Sequence, residues 1–129
     1  MNTYLEKILK SKAHLLFLTK FISYKNLKYY RKNDKWEDVL GEKKIDVLKK
    51  YYKLGLIHKA DIETHIDYKY KLSDLKIILK EFNLPVSGKK EILIKRLLDG
   101  FKNEMEKRVS DITLIECTPK GKKLLEDLK

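Results

Sequence analysis

The spacing of apolar residues predicts a mainly α-helical protein with a minor two-stranded β-ribbon. Apolar residues recur at three- and four-residue steps along most of the chain, which lines them up on one face of a helix. Glycine, asparagine and proline punctuate these runs where helices would end. Two short stretches, residues 66–70 and 112–117, carry instead the alternating or β-branched composition of strands. A chain of 129 residues can bury a core as one domain, or as a domain bearing a small module. Three regions are expected: residues 1–69 helical, residues 70–100 a compact module, and residues 101–129 a connector, strand and C-terminal helix packing back on the N-terminal region.

In the first region Leu5, Ile8, Leu9, Leu15, Leu16, Thr19 and Ile22 track one face from about residue 4 to residue 23, with a break at Ser11. Tyr24, Tyr29 and Tyr30 follow, interleaved with Lys25, Lys28, Arg31 and Lys32. Such a mixture either stacks on bases or forms a helix rim whose rings pack while their hydroxyls stay wet; the rim is the preferred reading. Asn33-Asp34-Lys35 reads as a turn, with Trp36 anchoring it in the core. Over residues 42–54 a helix is expected with Ile45, Leu48, Tyr52 and then Leu56 inward, and Lys43, Lys44, Asp46, Lys49, Lys50 and Lys53 outward. Gly55 suits the position after the helix end, with Leu56 packing back across it. Residues 60–65 add a single helical turn.

Leu72, Leu75, Leu79 and Phe82 mark the next helical face, with Ser73 as its cap and Asp74 adding negative charge to the first turn. Asn83 breaks the pattern, and Pro85 keeps Leu84 extended. Leu84 and Val86 can then drop onto the first helix. Ser87 is a second cap, before a helix with Ile92, Leu93 and Leu97, and Ile94 or Leu98, facing inward; Gly100 ends it. Residues 102–108 prolong a helix or make a polar connector. Thr118 caps a last helix with Pro119 at its first position and Leu124, Leu125 and Leu128 inward. Residues 66–70 are expected to pair with residues 112–117, so that the intervening pair of helices is an insertion held by a ribbon, which needs other elements packed on it.

The leucines, Leu84-Pro85 and Ser87-Gly88-Lys89-Lys90 together resemble the SAP family, a module of helix, extended loop and helix, over about residues 70–100. The resemblance implies a DNA-binding module that contacts duplex DNA through this turn, often with preference for A/T-rich sequence. More loosely, KKYYKLGLI is similar to helix ends ahead of SAP segments in small bacterial and phage proteins, and the strand leading into CTPKGKKLLEDL resembles the end of bacterial winged-helix domains.

The chemistry of the turn is anion binding. The first N–H groups of a helix lack an intrahelical acceptor, and the helix dipole puts partial positive charge at the same place, so a phosphate fits there. Gly88 carries no side chain to hold a DNA backbone away. Lys89 and Lys90 supply mobile point charges at its mouth, while Lys76 and Arg96 can snorkel to the rim. Lys71, Lys76, Ser87, Gly88, Lys89, Lys90 and Arg96 are therefore the candidate nucleic-acid-binding residues. The bland reading of SGKK alone is a solvated turn; the surrounding frame is what favours phosphate.

Charge agrees. Thirty Lys and Arg against 19 Asp and Glu give +11, a field that attracts polyanions by steered encounter and counterion release. Residues 70–100 hold seven cations and four acids, net +3, whereas residues 1–33 hold eight cations against Glu6 alone, net +7. The basic N-terminal third is thus a second cationic surface. Abundant Lys, Ile, Asn and Tyr suggest an A/T-rich genome, in a bacterium or phage.

Several classes find no support. Cys117 is the single cysteine, which excludes an internal disulfide framework, fits a reducing cytoplasm, and reads as a small apolar residue on a strand. His14, His58 and His65 are scattered without metal-ligand spacing, and SGKK lacks the spacing of a phosphate-binding GxxxxGK[ST] loop. The N-terminus lacks a signal-peptide arrangement, and the apolar run at residues 13–22 is too short to span a bilayer. The expected function is therefore non-enzymatic: gripping duplex DNA with low sequence specificity, without cofactor, metal or membrane, in the cytoplasm and near the nucleoid. The alternatives are an interaction or dimerisation module with a protein partner or second copy, and binding to RNA.

Overall fold

The computed structural model of the chain describes residues 3–31 and 34–128. Its elements are α1 (Thr3–Lys10), α2 (Lys12–Thr19), β1 (Lys25–Asn26), a 3-10 turn (Leu27–Tyr30), α3 (Lys35–Leu40), α4 (Lys44–Lys53), β2 (Ile57–Lys59), α5 (Ile62–Lys69), α6 (Leu72–Glu81), α7 (Lys90–Arg108), β3 (Leu114–Cys117) and α8 (Pro119–Asp127). The fold is mainly helical, as expected, with one small antiparallel sheet ordered β1-β3-β2. The chain divides into two compact units: residues 1–60 with 113–129, and residues 61–112. Among the described residues no helix is long and apolar enough to cross a membrane.

The sheet corrects the expected ribbon. Residues 66–70 are not a strand: Asp61 caps α5, its carboxylate accepting from the Thr64 N–H at 2.8 Å, and the helix carries Ile66 and Tyr68 and ends at Lys69, with Tyr70 as its extended cap. The strand that pairs with β3 is β2, with Ile57 opposite Cys117 and Lys59 opposite Ile115. β1 takes the other edge of β3, with Lys25 opposite Ile115 and Asn26 opposite Leu114. Three strands therefore replace the expected two, and the second unit is the chain between β2 and β3.

In the first unit the core joins Ile8, Phe17, Leu18, Phe21, Leu40, Val47, Leu48, Tyr51, Leu56, Ile57, Ile115 and Cys117. The break at Ser11 is real, because its hydroxyl caps α2 by accepting from the His14 N–H. It also resets the helical phase. The buried face of α2 and its end is His14, Phe17, Leu18 and Phe21, whereas Leu16 and Ile22, expected inward, are about half exposed. The same slip affects α4, where Val47 and Tyr51 are buried and Tyr52 is exposed. Lys44, expected outward, is buried beside the Asp34 carboxylate at 2.6 Å. Tyr30 and Trp36 lie against Phe17 and Phe21, so Tyr30 is a packing ring, while Tyr29 is exposed. Of the expected turn at residues 33–35, Asn33 lies outside the described residues.

Two helix ends follow the expected chemistry. Gly55 adopts positive φ, and the Leu56 N–H reaches back to the Tyr51 carbonyl at 3.0 Å, a Schellman arrangement that needs a residue tolerant of that conformation. Thr118 caps α8 through the Gly121 N–H with Pro119 in the first turn. In α8, Leu124 and Leu125 pack on the core but Leu128 is half exposed. Cys117 is buried and its thiol is pushed up to about 11, chiefly by burial.

Glu42, between α3 and α4, ties side chains of α1, α2 and α4 together. It accepts from the Tyr4 hydroxyl at 2.8 Å and the Lys50 ammonium at 2.6 Å, and lies 2.9 Å from His14 Nε2 and 3.2 Å from Lys7 Nζ. Burial alone would raise its carboxyl, but bonds from Lys50, His14, Tyr4 and Lys7 outweigh it and bring the value from 4.5 to about 2. A carboxylate depressed in the folded state contributes stability that is complete above its ordinary value and lost as pH falls toward the folded one. Glu42→Gln should therefore cost about 2 kcal/mol at neutral pH, and denaturant melts should show the gap between parent and variant closing between pH 4.5 and 2.

Gly121 sits on the Leu56 backbone so closely that an added Cβ would lie 2.2 Å from the carbonyl oxygen. Alanine gains roughly 1 kcal/mol of helix propensity, yet the clash is with backbone and has no easy relief. Gly121→Ala should lower stability by about 1–3 kcal/mol net, read as a shifted urea midpoint with unchanged slope.

Candidate nucleic-acid interface

The second unit has its own core: Ile66, Leu75, Ile78, Leu79, Leu93, Ile94, Leu97, Met105 and Val109, with Leu84 and Val86 of the loop packed against it. Helix α6 begins at Leu72 because Asp74 reaches back and accepts from the Lys71 N–H at 3.0 Å. Ser73, expected as the cap, lies inside the first turn. Leu72 is partly exposed, and Ile78 takes the buried position between Leu75 and Leu79.

The end of α6 sets the loop. Asn83 has φ 58, and the N–H groups of Asn83 and Leu84 bond to the carbonyls of Lys80 and Leu79 at 3.1 and 2.9 Å. Asparagine tolerates this left-handed conformation better than most residues. Pro85 then holds the chain extended, and Leu84 and Val86 anchor it to the core. Arg96 closes the loop from α7: its Nη1 donates to the carbonyls of Pro85 and Ser87 at 2.8 and 2.9 Å. Arg96 is thus a brace for the turn as well as a charge beside it.

Gly88 has φ 127, and a Cβ there would come within 3.3 Å of Ile92 Cγ2. Glycine is required by the backbone, a reason independent of room for a ligand. Helix α7 starts at Lys90 with Lys89 as its N-cap, and no side chain caps it. Ser87, expected as cap, is exposed in the loop and lends its carbonyl to Arg96. In the first turn the Ile92 and Leu93 N–H groups bond to the Lys89 carbonyl, so the earlier N–H groups face outward at the positive end of the dipole.

The lysines differ in freedom. Lys89 is exposed, and its ammonium makes no hydrogen bond or ion pair to a described residue. Lys90 is tethered to α5, its ammonium 3.0 Å from the Asp67 carboxylate and 2.9 Å from the Asp67 carbonyl. Lys71 and Lys76 are exposed on and before α6. Ile92, expected inward, is half exposed beside Gly88; it lines a shallow cleft of about 430 Å³ with Leu84, Lys95, Arg96, Asp99 and Gly100. Lys95 was not among the expected contacts. Its position three residues after Ile92, on the same helix face, is the signal that would have found it.

Gly100 does not end the helix. The axis kinks at Phe101, whose φ −138 and ψ 41 are non-helical, and α7 resumes to Arg108. The kink lets Phe101 stack on Phe82 at 4.2 Å, and Arg108 lies over Phe82 while pairing with Glu81 and Glu104.

Comparison with curated proteins and with solved structures returns no match for the chain. Residues 69–99, which span α6, the extended loop and the first half of α7, match the family model of the SAP domain, a nucleic-acid-binding module, and it is to this family that the second unit is similar.

Proposed function

We propose that the protein is a non-enzymatic DNA-binding protein that grips duplex DNA through residues 70–100, with low sequence specificity and a preference for A/T-rich sites. The observation that carries this reading is the N-terminus of α7: N–H groups without a side-chain cap, a turn set by the positive φ of Gly88, and the Lys89 ammonium free at its mouth. Such a start takes a phosphate through backbone and dipole together, and phosphate contacts position a protein without reading bases. Arg96 and the Leu84 and Val86 anchors keep the loop in register for that contact. Lys71, Lys76 and Lys95 would add charge along the duplex. Bacterial or phage origin, a cytoplasmic setting near the nucleoid, and a winged-helix likeness of β3 and α8 belong to the same proposal; β3 leading through the Thr118 cap into α8 supports the last.

Because Lys90 is already ion-paired, the two lysines should not count equally. Titrations against A/T-rich duplex, G/C-rich duplex and structured RNA across a salt series should give a log–log slope that falls by about 0.9 for Lys89→Ala, and by less for Lys90→Ala. A/T-rich duplex should bind tightest. An unchanged slope for Lys89→Ala removes the site assignment, and tighter binding to the RNA removes the duplex.

A further inference from the structure

The first unit holds an apolar cleft of about 650 Å³ that the proposed DNA contact does not use. Helix α4 contributes Ile45, Leu48, Lys49, Tyr52 and Lys53; the 3-10 turn and its end contribute Leu27 and Arg31; the sheet contributes Ile57 and Ile115. The volume is within the roughly 300–1,000 Å³ of ordinary binding clefts. Leu48, Ile57 and Ile115 form its floor as the outer edge of the core, Leu27 and Ile45 are partly buried, and Tyr52 is exposed.

The rim of this cleft is cationic. The side chains of Arg31, Lys49 and Lys53 are exposed and make no hydrogen bond or ion pair with a described residue, and no acid among the described residues lines the cleft. Neighbouring cations are satisfied: Lys44 by Asp34, and Lys50 by Glu42. The acids nearest in sequence, Glu42 and Asp46, line an adjoining cleft that Lys49 and Lys53 also border. Among the described residues, the rim of the apolar floor thus carries three cations without an ion pair, two of them shared with that adjoining cleft.

The geometry points to this cleft as the docking site of an acidic amphipathic helix from a partner protein. Such a helix presents apolar anchors at i, i+3, i+4 and i+7 to a groove and carboxylates at its flanks, which matches an apolar floor with cations on α4 and at Arg31. Nucleic acid would meet the cations but leave the floor unfilled. A second copy of this chain, net +11, would bring like charge to a positive rim.

The test uses the full chain, labelled with nitrogen-15, and two synthetic helical peptides of about 18 residues, about 27 Å long. Both carry leucine at the i, i+3, i+4, i+7 positions; one has glutamate and the other lysine on the flanks. The acidic peptide should shift the amide resonances of Leu27, Ile45, Tyr52 and Ile57 and bind at least tenfold tighter than the basic one. Lys49→Glu/Lys53→Glu should weaken it about tenfold or more with spectral dispersion retained, and Lys49→Arg/Lys53→Arg should keep it. Equal binding of both peptides, or no shift at those residues at millimolar acidic peptide, overturns the proposal. So does loss of duplex binding in the Glu variant with the acidic peptide silent, which makes nucleic acid the occupant, or a concentration-dependent dimer abolished by the same change, which makes it a second copy.

Discussion

Strand β3 is bonded on both edges, to β1 and to β2, and the rest of the first unit is arranged around that demand. A middle strand must find both neighbours, and these come from earlier in the chain than the whole second unit. Ile115 and Cys117 carry the sheet into the core formed by α1 to α4. The Cys117 N–H also bonds to the Phe21 carbonyl at 2.6 Å, and the Thr118 N–H to that of Leu56. Non-local contacts of this kind are costly to close and cooperative once closed.

The local rules could be read where both partners lie within one or two turns. The frame of α6, loop and α7, the αL residue Asn83, the Gly55 end and the Thr118-Pro119 start all rest on neighbours in sequence. Three local readings fail, since Ser73 and Ser87 do not cap their helices and Gly100 does not end α7; the other misses depend on phase or distance. The Ser11 break shifts the α2 face by one position, so an unbroken count places Leu16 and Ile22 inward. Ile66, Tyr68 and Tyr70 alternate like a strand, yet Ile66 faces the second core from a helix because Asp61 caps it. Lys44 and Lys90 look like solvated charges, and only the fold brings Asp34 and Asp67 to them.

That sorting of cations shapes the candidate site. Lys90 is held by Asp67 and Arg96 by two loop carbonyls, so two of the seven candidate groups hold the turn in shape. Lys89 remains free to meet a ligand. In an otherwise basic chain, the position of the carboxylates decides which positive groups remain available, and this holds in both units.

The Ala60 N–H bonds to the Leu114 carbonyl at 2.9 Å, just where residues 61–112 leave and rejoin the first unit. The ends of a long excursion are thus clamped as if they bordered a hairpin turn. A genetic event that shortened the excursion to a few residues would leave every rung of the β2–β3 ladder in register, and one that lengthened it would carry only a slowly growing closure cost. The sheet is in this sense a socket, its β2–β3 ladder closed by bonds that residues 61–112 do not make.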